Sequence, residues 1–293
     1  MPHAALKVIR PVIRASSILS PRLAGRLAFR LFCTPIGKPR INQASPAIQQ
    51  AQALFADAEI RDITHGCGFV KRYAFKPEGR ERGTVLLLHG WTGQALFMGG
   101  FVTPLLRYGY RVLAIDLPAH GGSSGRLLNF PLAIEAISAA IRDEEPLAGI
   151  IGHSFGGAVA AAAIAGGVEM HPPIAARRLV SISAPKAMSG YGRQFSEELG
   201  LTRKGHAAFE AEVQAVAGRP MESFSGVDYL RRTQVPALIL HAPDDKEIPF
   251  ADAEALAAAS PLVELRATPR LGHRRILMSA QVQEEAAAFI ARG

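Results

Sequence analysis

The sequence predicts an α/β fold: a mostly parallel sheet with helices on both faces and a small helical cap. Three observations predict it. Short apolar runs recur along the chain after about residue 59. Helical stretches alternate with them. One charged segment of about fifty residues interrupts the alternation late in the chain.

The elements follow in chain order. Ser20-Pro21 reads as a helix N-cap followed by proline at the first helical position, and Ser45-Pro46 repeats the signal. Leu23, Leu27 and Leu31 share one helical face, with Arg22, Arg26 and Arg30 beside them. Residues 1–58 are therefore expected to form a basic helical extension. Gly83-Thr84-Val85-Leu86-Leu87-Leu88 is a continuous apolar run, as a strand buried on both faces requires. Arg111–Asp116, Gly149–Ile151, Leu179–Ile182 and Ala237–Leu240 read the same way, and Val263–Leu265 more weakly. Helices are expected over 94–108, 130–143, 155–165 and 250–259. Such alternation implies right-handed crossovers and a largely parallel sheet. The core is expected over 59–184 and 233–293. Residues 185–232, with Phe209, Val213 and Val216 at helical spacing, form the interrupting insertion. It sits where a cap could cover the C-terminal edge of the sheet, the ligand-binding edge of open α/β sheets.

Apolar residues make up 48% of the 293 and charged residues 20%, an ordinary globular balance. The net charge of +8 belongs to the N-terminus: Lys7, Arg10, Arg14, Arg22, Arg26, Arg30, Lys38 and Arg40 precede the first acid, Asp57. Taking those eight from the 33 basic residues leaves 25, equal to the 25 acidic ones. That segment lacks interleaved aromatics, so nucleic-acid binding is not expected. Its two readings are a helical arm packed on the core with solvated arginines, and a peripheral contact with anionic lipid through the leucine and arginine rows. No run of 18 apolar residues suggests a spanning helix, and no uninterrupted apolar stretch suggests a secretory signal. Two distant cysteines, Cys33 and Cys67, give neither a disulfide framework nor a zinc site. A cytoplasmic protein without metal or cofactor is expected; composition does not set its oligomeric state.

Gly152-His153-Ser154-Phe155-Gly156 matches G-x-S-x-G, and so does Gly121-Gly122-Ser123-Ser124-Gly125. Context separates them. Ser154 follows an apolar strand and precedes a helix of small residues, the strand–turn–helix setting that lifts a serine hydroxyl above a sheet. Ser123 sits in a loop. A serine nucleophile needs an imidazole to take its proton. Among nine histidines, His273 stands between the last strand and the last helix, the position that the chain order Ser–Asp–His requires. The acid that orients it belongs in the loop after Leu240, where Asp244, Asp245 and Glu247 all stand. Backbone N–H groups of Trp91, after the first buried strand, and Phe155 are placed to form an oxyanion hole.

Together these residues resemble the α/β-hydrolase superfamily, specifically its capped serine hydrolases: esterases, monoacylglycerol-lipase-like enzymes and cofactor-free haloperoxidases. The resemblance covers roughly residues 60 to 293. His89-Gly90-Trp91 is similar to the family's oxyanion turn, Asp116–Ser123 to its D-x-x-G-H-G-x-S loop, with Ala119 in place of a glycine, and Gly152–Gly157 to its nucleophile elbow. Asp245-Lys246-Glu247-Ile248-Pro249 matches D-x-x-[VI]-P, and on that match the resemblance implies Asp245 as the acid. Serine at position 154 sets the chain apart from the dehalogenases and epoxide hydrolases of this fold. The implied function is carboxylic-ester hydrolysis; the limited length of the 185–232 insertion adds the expectation of short to medium acyl groups. Thioester, lactone or C–C bond hydrolysis, haloperoxidase chemistry and a non-catalytic receptor on the same fold are the alternatives.

Overall fold

Eight strands in the order β1-β2-β4-β3-β5-β6-β7-β8 form one sheet whose strands from β4 to β8 run parallel. The computed structural model describes residues 3–37, 41–144, 146–169 and 171–292; Lys38 and Arg40, and the side chain of Lys7, lie outside the described residues. The chain opens with α1 (His3–Leu19), α2 (Pro21–Phe32) and α3 (Pro46–Ala56). A hairpin follows, β1 (Glu59–His65) and β2 (Gly68–Phe75), then β3 (Thr84–Leu88), α4 (Val102–Arg107), β4 (Arg111–Ile115) and α5 (Phe130–Ala140). Next come β5 (Gly149–His153), α6 (Phe155–Ile164) and β6 (Leu179–Ile182). Helices α7 (Ser189–Leu199), α8 (Arg203–Ala217) and α9 (Gly226–Arg232) precede β7 (Ala237–His241). The chain closes with α10 (Phe250–Ala257), β8 (Val263–Ala267), α11 (Gly272–Arg275) and α12 (Ala280–Ala291).

The apolar runs are strands for the expected reason. All five residues of β3, β5 and β7 are buried, because helices cover both faces of the sheet. One face packs on α5 and α6, the other on α4, α12 and the 3₁₀ turn Ala95–Phe101. The β1–β2 hairpin is not among the strands expected from sequence. It lies at the sheet edge, where one face stays wet, so Arg61, Asp62 and Lys71 replace an apolar run. Its turn is only Gly66-Cys67, with His65 facing Gly68.

Pro21 and Pro46 open their helices as expected, but neither Ser20 nor Ser45 makes a side-chain capping bond. The fixed φ of proline, rather than a serine cap, sets these helix starts. α2 packs on α8 through Gly25, where an added Cβ would stand 2.6 Å from the backbone of Ala208. In α8, Phe209 and Val213 are buried, while Val216 is 44% exposed and turns toward the cavity described below. No helix among the described residues is long and apolar enough to cross a membrane.

Candidate active site

β5 runs directly into α6 through a turn of one residue. Ser154 occupies it at φ 52°, ψ −119°, a conformation rarely adopted by a residue with a side chain. The turn closes only because its neighbours are glycines. A Cβ on Gly152 would come within 2.6 Å of the Gly156 backbone, and one on Gly156 within 2.6 Å of the Leu88 carbonyl oxygen. The strain lifts Ser154 out of the sheet and leaves it half-buried at a cavity.

The second G-x-S-x-G match is used differently. Ser123 Oγ donates to the Asp116 carbonyl at 2.6 Å and accepts from the Lys71 N–H at 2.8 Å. Ser124 Oγ accepts from Phe69 N–H at 2.7 Å. These hydroxyls tie the 116–124 loop to β2. Within that loop Ala119 takes φ 66°, the left-handed region that a glycine occupies more readily.

His273 follows β8 and begins α11. Its Nδ1 stands 2.8 Å from Asp245 Oδ2. Asp245 Oδ1 accepts the N–H groups of Glu247 and Ile248 at 2.8 and 3.0 Å. Burial pushes the Asp245 carboxyl up, but the bonds from His273 and the two backbone N–H groups outweigh it and hold the group down at about 2. Asp245 is thus ionised at neutral pH and fixes a proton on His273 Nδ1. The neighbouring acid Asp244 accepts from Arg270 N–H at 2.7 Å; neither acid caps α10, whose N-cap position is Pro249. Glu247 is held by Arg274, and its Oε2 lies 3.9 Å from His273 Nε2. Ser154 and His273 line the same cavity, though no hydrogen bond joins them among the described residues.

Trp91 stands in the turn after β3, which lies against Ser154: a Cβ on Gly90 would be 2.9 Å from Ser154 Cβ. The Trp91 and Phe155 rings meet edge to face at 5.4 Å. Neither residue's N–H has an acceptor among the described residues.

Three residues that shape this site carry no role in the sequence reading. His153, adjacent to Ser154, turns away from it and donates Nε2–H to the His273 carbonyl at 2.8 Å. Burial drives His153 down to about 3, so it stays neutral. His120 Nε2 accepts Thr92 N–H at 3.0 Å, pinning the residue after Trp91. Asp116 accepts from Ala95 N–H at 2.7 Å and from Gly122 N–H at 2.8 Å, joining two loops behind the turn. The D-x-x-G-H-G-x-S likeness was the available signal for His120 and Asp116; nothing in the sequence pointed to the contact made by His153.

The cavity above Ser154 holds about 510 Å³ and is walled by Phe29, Phe130, Phe155, Phe195, Met221 and Phe224. Its walls come from α2, α5, α7 and α8 as well as the sheet edge. Cys33 also lines it, but burial pushes that thiol up to about 12, so it offers no thiolate. A second cavity of about 590 Å³ meets the first at Ser154, Trp91 and His273 and carries Asn42, Ser45 and Thr92. Among the described residues no group of three or more His, Cys, Asp or Glu is placed to hold a metal ion.

Residues 85–291 match the model of the alpha/beta hydrolase family, and the chain belongs to that family. Among solved structures, the chain is similar to an esterase from Pyrococcus furiosus (20% identity, TM-score 0.60, 88% of this chain and 96% of that one). It is likewise similar to the thioesterase domain from the curacin biosynthetic pathway (18% identity, TM-score 0.57, 80% and 98%). At these identities the likeness is one of fold. Over 97 residues the chain is 43% identical to the dihydrolipoyllysine-residue acetyltransferase component of the acetoin cleaving system from Cupriavidus necator; the match spans 32% of this chain and a quarter of that protein's length. Family and fold support a hydrolase.

Proposed function

We propose that the protein is a serine hydrolase that cleaves carboxylic esters of short to medium acyl groups through an acyl-enzyme intermediate. In this reading Ser154 attacks the carbonyl and His273 takes its proton. Asp245 holds the imidazole tautomer and stabilises the imidazolium. The N–H groups of Trp91 and Phe155 receive the oxyanion. His273 gives the serine proton to the departing alcohol as the acyl-enzyme forms; water activated by His273 then releases the acid and restores the Ser154 hydroxyl.

The observation that carries the reading is the meeting, at one cavity, of a strained elbow serine and a histidine bonded to an ionised aspartate whose side chain is shielded from solvent. The apolar cavity supports an acyl site, and the small size of the insertion that covers it supports short to medium chains. Helices α7 and α8 act as the cap that excludes water from the acyl-enzyme. A chromogenic ester series tests this: a burst of alcohol release equal to the enzyme concentration, with kcat/KM highest for short to medium chains, is expected. Faster cleavage of long-chain triglycerides would overturn the chain-length claim, and absence of turnover on every ester would overturn the reaction.

A further inference from the structure

Helix α2 carries the rows Leu23–Leu27–Leu31 and Arg22–Arg26–Arg30. Residues four apart drift by only about 40° around a helix, so the rows lie side by side. The opposite side of α2 holds Ala24, Gly25 and Ala28, all buried. Docking on α8 through that side leaves the rows facing outward. Leu23 is 52% and Leu27 42% exposed. At the corner where α1 runs into α2, Ile18 is 66% and Leu19 86% exposed. Large aliphatic side chains grouped in water mark a contact surface.

The charges beside them are of one sign. Arg26 reaches Glu212 at 3.1 Å, an exposed pair, while Arg22 and Arg30 have no acidic partner among the described residues. The sequence holds no acid before Asp57. The leucine row also does not end at the surface. Leu31, one turn beyond Leu27, lines the cavity that holds Ser154, as do Phe29 and Phe32. α2 therefore joins an exposed apolar and basic face to the wall of the candidate acyl site.

We propose that this face of α1 and α2 docks on an anionic phospholipid bilayer. Leu19, Leu23 and Leu27 enter the headgroup layer, Arg22 and Arg30 meet lipid phosphates, and ester-bearing amphiphiles reach Ser154 along the leucine row. Charge selects the bilayer over a second copy of the chain. Two copies joined by this face would press Arg22 and Arg30 of each copy together, whereas anionic lipid neutralises them. Delivery of substrate rests on the ester-hydrolase reading; docking does not.

The test is co-sedimentation of the full chain with phosphatidylcholine vesicles, with and without phosphatidylglycerol, at low and high salt. Binding should require phosphatidylglycerol and weaken with salt. Leu23→Glu/Leu27→Glu should lower the partition coefficient by at least about ten-fold while turnover of a soluble short ester is unchanged. Leu23→Ser/Leu27→Ser serves if circular dichroism shows the glutamate pair unfolded. Equal binding to neutral and anionic vesicles, binding that survives the leucine changes, or no binding to either would overturn the proposal. So would a dimer that the leucine changes dissociate without any vesicle binding, which would assign the face to a second copy. Vesicle binding without turnover of any ester would leave docking standing and remove the hydrolase reading.

Discussion

The imidazole of His153, next to Ser154 in the chain, donates its Nε2–H to the backbone carbonyl of His273 at 2.8 Å. The residue beside the proposed nucleophile thereby positions the proposed base, which lies 120 residues away. His153→Phe removes the donor and leaves the loop free to shift. Steady-state kinetics should show kcat lower by about 10–100-fold with KM little changed. His153→Gln, which keeps a donor, should recover part of the loss. Unchanged kcat in His153→Phe would show that the His273 loop holds its place unaided.

Asp245 and Asp244 are neighbours with different partners. Asp245 accepts from His273, whereas Asp244 accepts from Arg270 N–H. Asp245→Asn should lower kcat by about 10⁴-fold with the fold intact, since the imidazole loses the charge that stabilises its protonated form. Asp244→Asn should cost little activity. The opposite order of severity would move the acid to Asp244.

Ser123 bonds to the Asp116 carbonyl and the Lys71 N–H, which ties its loop to β2. Ser123→Ala should lower unfolding stability by about 1–3 kcal/mol, from the unpaired groups left behind, with most of kcat retained. Denaturant melts and ester kinetics on one preparation separate the two effects. Abolished turnover with unchanged stability would make Ser123 the nucleophile.

Buried His89 and His153 are pushed down to about 3, both chiefly by desolvation. Unfolded, they would bind a proton near pH 6.5, so the unfolded state holds more protons below that point. Stability is fully present above about 6.5. It should fall by about 1.4 kcal/mol per pH unit for each histidine as pH drops toward 3. Asp245, held near 2, adds a further loss between about pH 4 and 2. Urea midpoints from pH 8 to 4 check the main slope. His153→Phe should about halve it, leaving the share of His89, and a wild-type midpoint constant across that range would contradict the burial of neutral imidazoles.

Strands buried on both faces were legible because burial forces unbroken apolar runs such as Val85–Leu88. The β1–β2 hairpin was not, because an edge strand is free to carry Arg61 and Asp62. Ser154, Asp245 and His273 stood out through short motifs in a fixed chain order. The loop motif marks Asp116 and His120 but not their partners, and the contact of His153 is not legible at all, because each bond joins loops far apart in sequence and no local pattern distinguishes a histidine that bonds a distant backbone from a packed one. The walls that α2 adds to the cavity were hidden for the same reason: helical spacing showed the leucine row, but not the α8 surface against which its far side packs.

The central claim, that Ser154 is the nucleophile served by His273, is tested most directly by labelling with a fluorophosphonate and locating the adduct by peptide mass spectrometry. The account expects one adduct, on Ser154. Labelling should be abolished in Ser154→Ala and slowed by several orders of magnitude in His273→Ala, with ester turnover lost in parallel. An adduct on another residue of the folded protein, or turnover retained in Ser154→Ala, would contradict it.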